Sequence, residues 1–202
     1  MSATKNATSY TPRFKQQYQD QWRAELKEEL SLENINQVPK LVKVTVSVGI
    51  GNKRDDKRYA EAVVNTLTKI TGQQAVITMA KKSIANFKIR EGLSRTGVMV
   101  TLIGNNAYEF IDRLANVVLP RVRDFRGISE KSFDKGGNYS LGLKDQTVFP
   151  ELSFHDTTTL HGIQVTIHLQ SQSAEHSKAL LEKFSMPFTK GCLLYTSPSP
   201  RD

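Results

Sequence analysis

Residues 42–50, Val42-Lys43-Val44-Thr45-Val46-Ser47-Val48-Gly49-Ile50, alternate apolar and polar side chains with a period of two. A strand turns successive side chains to opposite faces. The pattern therefore predicts Val42, Val44, Val46, Val48 and Ile50 in a core and Lys43, Thr45 and Ser47 on a wet face. The alternation returns at 163–169, where Ile163, Val165, Ile167 and Leu169 oppose Gln164, Thr166 and His168. It returns again at 98–102, where Val98, Val100 and Leu102 oppose Thr101. Residues 75–79, AVITM, read as a further strand. Strands with one solvated face belong to antiparallel sheets, because parallel sheets are covered on both faces. The expected fold is α+β, a single domain whose mostly antiparallel sheet has helices packed on one face and the other face free to meet a ligand.

Four helical segments surround these strands. Pro12 opens the first, which runs to about Leu30 with Phe14, Tyr18, Trp22 and Leu26 recurring every four residues. Asp55 and Asp56 supply acids to the first turn of the second, where the helix dipole favours them. Its buried face is Tyr59, Val63, Leu67 and Ile70, and Gly72 ends it. Asn106-Ala107-Tyr108-Glu109 reads as a capping box for the third, with Phe110, Ile111, Leu114, Val117 and Val118 inward and Pro120 as its stop. Ser173 caps the last, whose apolar face is Ala179, Leu180 and Phe184. Gly136, Gly137 and Gly142 mark a glycine-rich loop.

Residues 1–11 lack an apolar period and are expected to form a disordered extension, ahead of one domain over 12–190. The segment 191–202 is expected to be non-native. From Cys192 it reads CLLYTSPSPRD, follows no period, and resembles the in-frame translation of a transposon-derived sequencing adapter, placed after what reads as a natural end at Pro187-Phe188-Thr189-Lys190. A single cysteine excludes a disulfide framework and cysteine-rich zinc sites. No apolar run of about 18 residues and no secretion-type leader is present, so a cytoplasmic protein without a membrane partner is expected.

Lysine and arginine number 28 against 20 acids, a net charge of +8 that favours a polyanionic partner. The segment 81–95 concentrates it, with Lys81, Lys82, Lys88, Arg90 and Arg95 against Glu91 alone. Interleaved Ser83, Asn86 and Phe87 add small polar groups for sugar hydroxyls and one aromatic for packing, although Phe87 and Ile89 are expected to tuck into the core. A second cluster, Arg121, Arg123 and Arg126, either forks onto phosphates or pairs with acids such as Asp124. Gly136 and Gly137 either let backbone amides approach phosphates or serve a turn.

Enzyme chemistry finds little support. Gly49-Ile50-Gly51 sits between a strand and a helix as a dinucleotide site requires, but Arg54 occupies the third glycine position and Asp55 would repel a pyrophosphate. His155, His161, His168 and His176 lack the HExxH spacing of a zinc site and read as surface residues. No nucleophile elbow or acid pair stands out, so no catalytic residue, metal or cofactor is expected.

The blocks Gln37-Val38-Pro39-Lys40, TGQQAVITMAKKSIANFKIREG and LPRVRDFRGISEKSFDKGGNYSLGLKDQTVFPE, followed by MPF near the end, closely resemble the large-subunit ribosomal protein five family over roughly residues 12–190. That resemblance implies an antiparallel sheet with helices on one side, seated in the central protuberance of the large subunit. It implies binding of 5S ribosomal RNA, contact with the peptidyl-site transfer RNA, and a bridge to small-subunit ribosomal protein thirteen. Carried over by position, Gln73 and Thr101 match residues that approach 5S RNA, while Thr78, Lys81, Lys82 and Ser83 match the transfer-RNA loop. The candidate 5S surface is then Lys43, Thr45, Ser47, Gln73 and Thr101 with Arg121, Arg123 and Arg126. The chain departs from the family pattern at Ser47, usually Asn, at Met79, usually Arg, at Gln164, usually Asp, and at 93–97, usually a proline-containing turn. The rival readings are an RNA chaperone, which would bind structured RNAs indiscriminately, and a nucleotide-dependent enzyme, which would bind nucleotide near Gly49 and Gly51.

Overall fold

The computed structural model describes residues 10–51, 56–123, 125–153 and 159–189. Arg54, Asp55, Asp124, His155, Lys190 and Cys192, the first nine residues and the adapter-like tail lie outside the described residues. Five strands, β1 (Lys40–Gly49), β2 (Val76–Met79), β3 (Arg95–Ile103), β4 (Tyr139–Leu143) and β5 (Ile163–Gln170), form one sheet in the order β2-β3-β1-β5-β4. Every pairing is antiparallel. The α+β architecture expected from one-sided strands is the one observed.

The alternation of β1 is interrupted near its start. Leu41 is buried and Val42 is 44% exposed, because the register against β5 shifts between Leu41 and Lys43. A bulge adds one residue to a strand and so reverses the facing of everything on one side of it. Val42 was expected inside; the bulge turns it out and puts Leu41 in its place. From Val44 onward, Val44, Val46, Val48 and Ile50 are buried as the period requires.

Strand β4 lies where the glycines suggested only a loop. Its pattern is periodic, with Tyr139 and Leu143 buried, Leu141 half-buried, and Ser140 and Gly142 outside, but the glycine masked it. Gly137, just before β4, has φ +77° and no room for a side chain: an added Cβ would stand 2.3 Å from Ser171 Oγ and 2.6 Å from Ser177 Oγ. Turn geometry and close packing therefore account for it. Gly137→Ala is expected to destabilise the fold by about 1–3 kcal/mol, read by urea denaturation, from the positive φ and overpacking together.

The first helical run joins α1 (Arg13–Gln17), a π-helical turn (Tyr18–Trp22) and α2 (Arg23–Glu29). Its stripe repeats every four residues, whereas an α-helix turns in 3.6, so a regular helix would rotate the stripe away by about 40° per step. The wider turn at 18–22 offsets that drift, and Phe14 and Leu26 both reach the core while Tyr18 and Trp22 pack beside it. Helix α3 (Lys57–Thr71) is N-capped by Asp56, whose carboxylate accepts from the amides of Arg58 and Tyr59. It ends at Gly72, φ +69°. Its buried line is Ala60, Val63, Leu67 and Ile70, with Tyr59 at the margin.

Helix α4 (Asn105–Arg113) begins one residue before the expected capping box, with Gly104 at the cap and no side-chain cap bond. Asn105 instead accepts from Lys15 Nζ at 2.8 Å and donates to the Tyr10 carbonyl, tying the helix to the N-terminal segment. The chain continues through a π turn (Leu114–Val118) and a 3-10 turn (Leu119–Arg121). Leu114, Ala115, Val118 and Leu119 are buried there, and Val117, expected inside, is 39% exposed because the inward stripe runs through 111, 114, 115 and 118. Helix α5 (Ala174–Lys183) is capped by Ser173, whose hydroxyl accepts from the His176 amide. Beyond its last turn Phe184 is fully buried against Phe14, Trp22 and Tyr108.

Candidate nucleic-acid interface

The sheet face away from the core carries three rows of side chains in register. The longest polar row runs Thr101, Thr45, Thr166, Ser140 across β3, β1, β5 and β4. Neighbouring strands lie about 4.8 Å apart, so these hydroxyls line a path of about 14 Å. Ser140 Oγ and Thr166 Oγ1 stand 3.4 Å apart. On one side runs Val76, Met99, Ser47, Gln164, Gly142, and on the other Ile103, Lys43, His168. The structure thus brings Lys43, Thr45, Ser47 and Thr101 together as the sequence predicted. Gln73 joins them, its Nε2 donating to the Thr101 carbonyl at 3.3 Å.

Two members of the hydroxyl row, Thr166 and Ser140, were not among the predicted site residues. Thr166 was legible in the alternation of 163–169; Ser140 was hidden by the loop reading of its strand.

This face is rich in hydroxyls and poor in charge. Within the three rows Lys43 is the sole permanent cation. Burial holds the His168 imidazole below its ordinary range, and the Lys43 charge lowers it further, against a smaller opposing pull from Asp134. His168 is therefore mostly neutral at pH 7. Such a surface suits the sugar edge of a folded RNA, where 2′-hydroxyls both donate and accept, better than a bare array of phosphates.

The basic segment between β2 and β3 is a separate feature. Residues 80–94 form a projecting hairpin-like excursion: Ile84 and Ile89 exchange backbone hydrogen bonds, Lys88 takes φ +51°, and the Ala80 amide donates to the Ser94 carbonyl. Phe87, expected in the core, is 65% exposed, and Ile89 is only half-buried. The excursion closes on its own backbone, and neither Phe87 nor Ile89 is among the residues packed against the core. Thr78 and Ser83 brace this frame. Thr78 Oγ1 donates to the Gly97 carbonyl at 3.0 Å, and Ser83 Oγ accepts from the Glu91 amide at 2.9 Å. Lys81 and Lys82 are exposed, and no described carboxylate pairs with them.

Arg121, Arg123 and Arg126 sit elsewhere again. They line a groove of about 810 Å³ between the 119–129 segment and the outer edge of β4, at the opposite end of the sheet from the basic excursion. All three are exposed.

The three described histidines, His161, His168 and His176, do not form a common site. His161 was expected at the surface and is 7% exposed, its Nδ1 3.2 Å from the Thr159 carbonyl, with burial holding it below its ordinary range. It is buried because Gln146, itself fully buried, accepts from the His161 amide and draws that segment inward. Among the described residues no cluster of three or more His, Cys, Asp or Glu could hold a metal ion, and no helix is long and apolar enough to cross a membrane.

Comparison with known proteins gives matches along the same segments. The profile of the family described as ribosomal protein L5 matches residues 34–90, and the profile of that ribosomal family's C-terminus matches residues 95–188. Among curated proteins, the chain is 48% identical over 176 residues to large ribosomal subunit protein uL5 of Psychrobacter sp. (strain PRwf-1), covering 87% of this chain and 98% of that one. It is 47% identical over 177 residues to the proteins of the same name from Prochlorococcus marinus (strain MIT 9215) and Natranaerobius thermophilus, covering 88% of this chain and 98% of each.

Proposed function

The chain belongs to the ribosomal protein L5 family, and from that premise we propose that its open sheet face binds 5S ribosomal RNA and attaches it in the central protuberance of the large subunit. It is a structural constituent of the large ribosomal subunit, located on the cytoplasmic ribosome, and not an enzyme. The observation that carries the 5S reading is the in-register row Thr101, Thr45, Thr166, Ser140, left uncovered beside Ser47, Gln164 and Lys43. Hydroxyls at fixed spacing read the shape and sugar edge of an RNA, while Lys43 neutralises a phosphate. The departure at Ser47 keeps a hydroxyl on this face, where it can still reach a 2′-OH.

A gel shift of the chain with 5S RNA against a size-matched unrelated hairpin tests the reading. Preference for 5S RNA is expected; equal affinity for both would favour a general RNA chaperone. Affinity should fall with salt, and Lys43→Ala should reduce the log-log slope by about 0.7–0.9, the share of one neutralised phosphate. An unchanged slope removes Lys43 from the interface.

The basic excursion is the proposed contact to peptidyl-site transfer RNA, with Lys81 and Lys82 as its exposed charges and Thr78 and Ser83 as its frame. Met79 supplies no cation where the family pattern has one, which leaves the paired lysines a larger share of that contact. Lys81→Ala with Lys82→Ala is expected to leave 5S affinity within about twofold while weakening transfer-RNA contact about tenfold, measured as binding by reconstituted large subunits. Equal loss of both would assign the excursion to 5S RNA. The family premise also extends the proposed partners to small-subunit ribosomal protein thirteen and other central-protuberance components.

A further inference from the structure

We propose that the groove along the free edge of β4 docks an extended acidic peptide of a protein partner, which adds to the sheet as a sixth strand. Three independent observations converge there. First, β4 is an edge strand: among the described residues it pairs with β5 alone, apart from a single bridge between Phe133 and Tyr139 at its start. An open edge presents unpaired backbone donors and acceptors, which an incoming strand satisfies.

Second, the opposing wall is cationic. Arg121, Arg123 and Arg126 line it, and Lys144 follows the strand, against Asp145 among the described lining residues; Asp124 lies outside the described residues. No described carboxylate pairs with these cations. Guanidinium groups match carboxylates in a planar fork. Third, the groove is apolar beneath the charges, through half-buried Val122, Phe125 and Leu141. A peptide strand offers backbone ladder groups, alternate apolar side chains and carboxylates together. A nucleic-acid strand offers charge for the arginines but nothing for the open ladder or the apolar floor, and so leaves two of the three features unused.

The surface meets the hydroxyl-rich face at Ser140 and Gly142, but the inference does not depend on the 5S reading. The test is fluorescence anisotropy of the whole chain with a labelled ten-residue peptide alternating glutamate and valine. Saturable binding is expected, at least about tenfold tighter than for the peptide with lysine in place of glutamate. Arg123→Glu with Arg126→Glu should weaken the glutamate peptide by about tenfold or more. Methylating alternate amide nitrogens of the peptide should abolish binding in one of the two phases, because only one phase faces β4. An excess of 5S RNA should not displace the peptide. Absence of saturable binding, or indifference to methylation in both phases, overturns strand addition. Displacement by RNA together with parallel loss of RNA affinity in the arginine variant assigns the groove to RNA instead. Because 5S affinity of the unaltered chain is read separately, failure of the sheet-face proposal is distinguishable from failure of this one.

Discussion

Thr45→Asp is expected to lower affinity for 5S RNA about 100-fold, or roughly 2.7 kcal/mol, while leaving the fold intact. Thr45 lies at the centre of the polar row, paired with Thr101 on one side and Thr166 on the other. Aspartate removes a hydroxyl that both donates and accepts and places an ionised carboxylate among RNA phosphates. Its neighbours in the row are uncharged, so the sheet itself meets no like-charge pair; only strand propensity is lost, about 1 kcal/mol. Thr45→Ser keeps the hydroxyl and should stay within about threefold of the original affinity. Circular dichroism through a thermal ramp checks that both variants fold, and a filter-binding titration reads the affinity. Full affinity in the folded aspartate variant would show that RNA does not use this face.

Phe184→Ala should produce the largest loss of stability, about 3–5 kcal/mol. The ring is fully buried, stacked on Phe14 at 5.5 Å, edge-on to Trp22 at 5.5 Å and to Tyr108 at 6.0 Å. It therefore joins the N-terminal helical run, α4 and the end of α5 through one side chain. Truncation forfeits the transfer energy of the ring and leaves a cavity that the converging segments cannot all close. Urea denaturation should show the loss as a lower midpoint, and the thermal midpoint should fall by roughly 10 °C for a chain of this size. A loss under about 1 kcal/mol would mean that the aromatic cluster collapses around the gap and does not hold these helices.

Legibility in the sequence followed the range of the interaction that decides each feature. The core positions of β1, β3 and β5 were readable because a period of two records, residue by residue, which side meets water. Thr45, Ser47 and Thr101 were readable as face residues for the same reason, and their meeting on one surface follows from the observed registers. The Gly72 stop is equally local, since it depends on a single turn of backbone, whereas Asp56, read as a first-turn acid, proves to be the N-cap one residue ahead of the helix.

The misses are of another kind. Val42 faces out because of a bulge that exists only against β5, a strand far along the chain. Phe87 is exposed on the 80–94 excursion, which closes on its own backbone, and an apolar side chain carries no mark of whether a core lies within its reach. Ser140 joined the hydroxyl row only once β4 paired with β5. The three arginines announced a charged cluster by composition, but nothing in their order placed them across from an open strand edge.

By itself, then, the sequence determined the α+β class, the buried stripes of the helices apart from Val117 and Tyr59, the polar character of one sheet face, the basic charge and the family blocks. Each of these is written in local periodicity or in residue order. Only the tertiary structure decided which hydroxyls share a row, which loop residues stand clear of the core, and where the arginines open a groove. These depend on which distant segments pair and in what register, and pairing is fixed by the joint burial of many residues rather than by any one stretch.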